Sequence, residues 1–125
     1  MWLEQITVTT NSGGSASGQS SRPFSGRILS IRMPNAGTAL GGTADWTFTR
    51  QVDGGTILAL TDGVAPWQYS PRVPIHTTTG GTTAYSVGGQ SVWDPEGIEI
   101  DGYLAWSVVQ ATASATATVY VYVCD

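Results

Sequence analysis

From Ala113 to Val123 the chain sets Ala or Val at every odd position, while Ser, Thr or Tyr fill every even one from Thr112 to Tyr122. Only an extended backbone turns a period of two into one apolar and one polar face, so this stretch reads as a strand. The same alternation recurs along the chain, and no window carries the i, i+3, i+4, i+7 apolar spacing of an amphipathic helix. Abundant Thr suits strands, and 16 Gly, many of them paired, suit the tight turns between them. The chain is therefore expected to be all-β.

The first strand is Trp2 to Thr10. The polar stretch that follows it, "NSGGSASGQSS", has the composition of a flexible linker. Residues 1–10 are accordingly expected to form an extended arm, 11–22 a tether, and 23–125 the folded domain. In "SGRILSIRM" the alternation points Leu29, Ile31 and Met33 one way and Ile28, Ser30 and Arg32 the other. "TADWTFTR" turns Ala44, Trp46 and Phe48 inward and Asp45, Thr47 and Thr49 outward. "VDGG" reads as a hairpin turn, because Asp-Gly supplies positive φ angles, and "TILALT" is the returning strand.

"PWQYSPRVPI" carries Pro66, Pro71 and Pro74, which cannot donate to a ladder, so it is an edge strand or an ordered loop. "AYSVGGQSVW" is a short hairpin and "DPEGIEIDG" an acidic turn region. In "YLAWSVVQ" the residues Leu104, Trp106 and Val108 share a face. Turn signals at roughly every 8 to 12 residues between about eight short strands indicate one antiparallel β-sandwich, jelly-roll-like.

Charge and reactive groups narrow the function. Nine acids outnumber five Arg, there is no Lys, and the net charge is −4. The arginines are scattered, whereas nucleic-acid binding needs clustered cations, so no nucleic-acid partner is expected. No apolar run approaches the roughly 20 residues of a membrane helix. The N-terminus lacks the pattern of a secretory signal, so a soluble protein made in a cytoplasm is expected.

His76 is the only His, and no Ser lies in a "GxSxG" context, so a hydrolase is the remote reading. Asp94, Glu96, Glu99 and Asp101 lack the spacing of a calcium loop, and zinc lacks Cys and His ligands. Gly41-Gly42 and Gly80-Gly81 lack the Lys-Ser/Thr ending of a phosphate loop. Neither a cofactor nor a metal is expected, and the single Cys124, one residue from the end, is read as inert.

Five Trp are a high count for 125 residues, and their positions separate two uses. Trp46 and Trp106 lie on apolar faces and are assigned to the core. Trp2, Trp67 and Trp93 sit near strand ends or turns, where an indole could stack on a sugar or anchor a protein interface. Tyr120 and Tyr122 lie on the polar face of the last strand and offer large amphipathic area.

The segments "ITVTTNSGGSA", "PFSGRILSIRM", "TILALTDG", "YSPRVPIHTTTG", "YSVGG" and "ATVYVYV", taken in order, resemble a group of small all-β proteins of tailed bacteriophages. The stretch with Tyr69, Pro71, Arg72 and His76 belongs to the same likeness. The resemblance implies a non-enzymatic virion structural protein on the capsid exterior, one that decorates or cements the shell by binding the major capsid protein. Connector and tail positions stay open, and self-association, with a trimer as one form, follows by analogy. Trp2, Leu3 and Ile6 on the arm, with Arg72, Tyr120 and Tyr122, are the expected interface residues. The alternative is a carbohydrate-binding module of a head fibre that stacks sugars on Trp67 or Trp93.

Overall fold

A computed structural model of the chain describes residues 2–34, 40–63, 66–74, 84–87, 90–93 and 95–124. Among them every regular element is a strand. The first five are β1 (Trp2–Thr9), β2 (Ala16–Gln19), β3 (Phe24–Met33), β4 (Asp45–Arg50) and β5 (Thr56–Leu60). Short pieces follow as β6 (Trp67–Tyr69), β7 (Arg72–Pro74), β8 (Ala84–Val87) and β9 (Gln90–Trp93). The chain closes with β10 (Pro95–Gly102), β11 (Leu104–Val109) and β12 (Thr116–Cys124).

Two antiparallel sheets pack together as an all-β sandwich. The larger runs β1-β12-β3-β10-β7, with β6 also on β3, and the smaller runs β2-β11-β4-β5. Strands β8 and β9 pair with each other as the expected hairpin. Alternation explains the packing. Val119, Val121 and Val123 of β12 are fully buried, as are Trp46 and Phe48 of β4, and one apolar cluster joins residues of both sheets. Each such side chain contributes about 1.5–3 kcal/mol of burial. Trp46 and Phe48 stack 5.7 Å apart with their rings nearly parallel, and Trp67 meets both edge-on.

The leading segment is not a detached arm. β1 pairs with β12 along its whole length, from Trp2 opposite Val123 to Thr9 opposite Thr116. Ile6 and Val8 point into the core, at 5% and 0% exposure. Glu4 is buried too, its carboxylate accepting bonds from the Ser21 amide at 3.1 Å and the Ser21 hydroxyl at 3.0 Å. A β-strand with an apolar inner face gains more by covering its own core than by remaining in water.

The polar stretch after β1 is not a tether either. The Asn11 side chain accepts from the amides of Gly13 and Ser15 at 2.8 and 3.0 Å, closing a local turn. The chain then crosses to the second sheet, where β2 pairs with β11. Gly18 lies against the Trp106 indole so closely that a Cβ would sit 2.8 Å from Cζ2. Here Ser and Gly serve an edge strand covered by an aromatic ring rather than a flexible link.

Three further expectations change. "DPEGIEIDG" is mostly strand: β10 pairs with β3 and β7, with Ile98 and Ile100 buried and Glu99 and Asp101 exposed. Ile28 is buried together with Ile31 and Met33, because the register shifts near Leu29. The last strand begins at Thr116 rather than Thr112, since Gln110 and Ser114 adopt positive φ of 59° and 50° and turn the chain. The proline-rich segment meets expectation, its strand β7 lying at the edge of the larger sheet.

Candidate interaction face

The outward surface of the larger sheet gathers most of the side chains singled out in the sequence. Residues opposite each other on paired strands share a face, so the registers define two rows. One row runs from Leu3 on β1 through Tyr122 on β12 to Ser30 on β3. The next runs from Gln5 through Tyr120 to Arg32 and on to Gln68 of β6.

Beside the first row, on the side away from the second, lies a bulge. On β12 the register advances one residue, from Tyr122 to Val123, while on β3 it advances two, from Ser30 to Ile28. Leu29 is the extra residue, and a bulge of this kind re-aims the side chains beside it. On the other edge of β3, the pairing with β10 reaches Ile28 and the pairing with β6 starts at Ile31. Leu29 therefore falls in a gap between two partner strands. Arg72 fills that gap from β7, its Nη1 donating to the Leu29 carbonyl at 3.2 Å and to the Pro71 carbonyl at 2.9 Å.

Arg32 is held between two rings. Its guanidinium carbon lies 5.4 Å from the Tyr120 ring centre and 5.3 Å from that of Tyr122. Such contacts contribute on the order of 0.5–1 kcal/mol each when partly exposed. The Arg32 Nε is shielded from solvent and has no hydrogen-bond partner among the described residues. Beside it opens a depression of about 270 Å³ lined by Leu29, Ser30, Arg32, Gln68 and Tyr122.

The expected interface residues thus divide. Leu3, 42% exposed, joins Arg72, Tyr120 and Tyr122 on or beside this one face. Trp2 and Ile6 do not. Trp2 packs edge-on against Phe24 at 4.8 Å with the Arg22 guanidinium 4.0 Å above its ring, and Ile6 is core. The sequence reading overlooked Arg32, Leu29 and Gln68 as site residues. The signal was the adjacent apolar pair Ile28-Leu29, which breaks the alternation of its strand and so marks a bulge.

Trp67 is 6% exposed and packed on Trp46 and Phe48, so it cannot present a face to a sugar. Trp106 is half-buried rather than core. His76 and Asp94 lie outside the described residues, as do the side chains of Trp93 and Glu96. Glu99 and Asp101 stand exposed on β10, opposite Arg27 and Ser25, and no metal-holding group of three His, Cys, Asp or Glu occurs among the described residues. Cys124 is exposed at the end of β12. The chain matches no protein-family model, no curated protein and no solved structure.

Proposed function

We propose that this protein is a non-enzymatic virion structural protein, one that decorates the exterior of a bacteriophage head and binds the capsid protein through the outward face of its larger sheet. The observation that carries the reading is the convergence of Leu3, Tyr120, Tyr122, Arg32 and Arg72 on that one face of a rigid sheet. Tyr and Arg on a pre-ordered backbone are the residue types that dominate protein–protein binding energy, because they bring large area and hydrogen bonds at low entropic cost.

The strand order supports the same class. Set aside β6 to β9, and the sheets run β1-β12-β3-β10 and β2-β11-β4-β5. That order suits an eight-stranded jelly roll, an architecture frequent in viral capsid and lectin domains. The fold-level argument is an analogy, and the face carries the function. Its mechanism is linkage: a protein that binds assembled shell and not free subunits stabilises the shell by mass action.

The test is reconstitution. Purified protein added to expanded heads that lack it should bind in hundreds of copies per particle, as expected for a lattice site on a shell. Tyr120→Ala with Tyr122→Ala should abolish binding while the protein stays folded. Wild-type protein that ignores heads would overturn the proposal, and so would a double variant that binds as well as wild type. A dozen copies or fewer would move the protein to a connector position.

A further inference from the structure

We infer that the depression beside Arg32 is a carboxylate-binding site whose occupant is an acidic segment of a partner protein. The inference rests on the reading of this face as a binding surface and names the chemistry of what binds there. Arg32 makes no hydrogen bond and no ion pair with any described residue. A guanidinium is a planar fork of five donors that stays charged at every physiological pH, and it matches a carboxylate in two parallel bonds. Tyr120 and Tyr122 flank it, which reduces competition from water and orients the fork.

Arg72 supplies a second cation at the same place. Its Nη1 is occupied by the carbonyls of Leu29 and Pro71, and Leu29 itself lines the depression. Carbonyls orient a guanidinium without neutralising it, and no ion pair joins Arg72 to another described side chain. No acid is among the described residues that line the depression. Among the described carboxylates of the same sheet, Glu4 is buried on Ser21, and Glu99 and Asp101 stand opposite Arg27 and Ser25, towards the start of β3, whereas Arg32 lies near its end.

The size and the rest of the lining favour a peptide side chain. At about 270 Å³ the hollow falls below the ~300–1,000 Å³ of sites that enclose drug-sized ligands. Leu29 and the Tyr122 ring suit methylene groups, while Gln68 and Ser30 add polar contacts. A nucleic acid would call for a run of cations along its backbone, whereas this face carries Arg27, Arg32 and Arg72 with Glu99 directly opposite the first.

The experiment titrates the full-length, nitrogen-labelled protein with a short end-capped peptide of alternating Glu and Gly, and separately with its Gln analogue. Side-chain Nε–Hε signals of Arg32 and Arg72 and the Gln68 amide are followed by NMR. The Glu peptide should shift all three, its binding should weaken as salt rises, and Arg32→Gln, checked to unfold at the wild-type temperature, should weaken it by about tenfold or more. No shift, or equal shifts from the Gln analogue, would overturn the inference. Because the titration needs no phage heads, heads that bind while the peptide does not would refute the acidic occupant alone. A peptide that binds while heads do not would uphold the site and refute the decoration role.

Discussion

Ala111 fastens the polar segment after β1 to the loop that precedes β12. Its amide donates to the Gly14 carbonyl at 3.0 Å, and its own carbonyl oxygen stands where a β-carbon on Gly14 would have to go. Gly14 holds φ at +77°, in the left-handed region. Both the conformation and the contact demand a residue without a side chain.

Gly14→Ala is therefore expected to destabilise the fold by about 1–3 kcal/mol, since the added methyl meets backbone that cannot rotate away. Urea unfolding followed by Trp fluorescence measures it. A midpoint equal to that of wild type would show that the segment is not held as described.

Deleting residues 1–10 should unfold the protein rather than release a stable core. The truncation strips β1 from β12 and removes Ile6 and Val8 from the interior. Each of those two side chains contributes about 1.5–3 kcal/mol, against a total stability of roughly 5–15 kcal/mol for a domain. Circular dichroism and proteolysis of the truncated chain decide the matter, and a cooperative, protease-resistant fragment would contradict the account of β1.

Trp67→Ala should cost about 3–5 kcal/mol, the range for emptying an aromatic site in a core. Thermal unfolding reads this directly. If Trp67 instead served sugars, the substitution would leave stability intact and remove a response of Trp emission to oligosaccharides.

The turn between β4 and β5 carries a pH dependence of known sign. The Gly55 amide, at 2.8 Å, and next the Arg50 guanidinium, at 3.1 Å, hold the Asp53 carboxyl below its ordinary value of 3.8. A depressed carboxyl pKa stabilises the folded state above the unfolded value, and that stabilisation is lost as pH falls through the folded one. Carbon-detected NMR of the Asp53 carboxyl should thus show a midpoint below 3.8. An ordinary or raised midpoint would mean the turn is open in solution.

Much of the larger sheet was legible because half-buried strands write their geometry in alternation. Val119, Val121 and Val123 inward with Tyr120 and Tyr122 outward, and Trp46 and Phe48 inward, follow from a period of two alone. The same rule would have found β10, where Ile98 and Ile100 alternate with Glu99 and Asp101, had the acidic composition not suggested a turn.

Of the candidate face, Arg72, Tyr120 and Tyr122 were marked by residue type, yet their neighbourhood was hidden. Arg72 reaches Leu29 across 43 positions of chain, and it does so only because β10 and β6 leave a gap on β3. Arg32 looked like any outward residue until β12 placed two rings beside it.

The amino-acid order by itself determined an all-β chain, the inner and outer residues of its long strands and the absence of amphipathic helix, because those properties depend on neighbours one or two residues away. Tertiary structure alone decided that Trp2–Thr9 covers its own core, that "NSGGSASGQSS" crosses between sheets, and that a bulge at Leu29 joins two arginines to two tyrosines. Those outcomes depend on which strands meet, and composition does not encode pairing between residues a hundred positions apart.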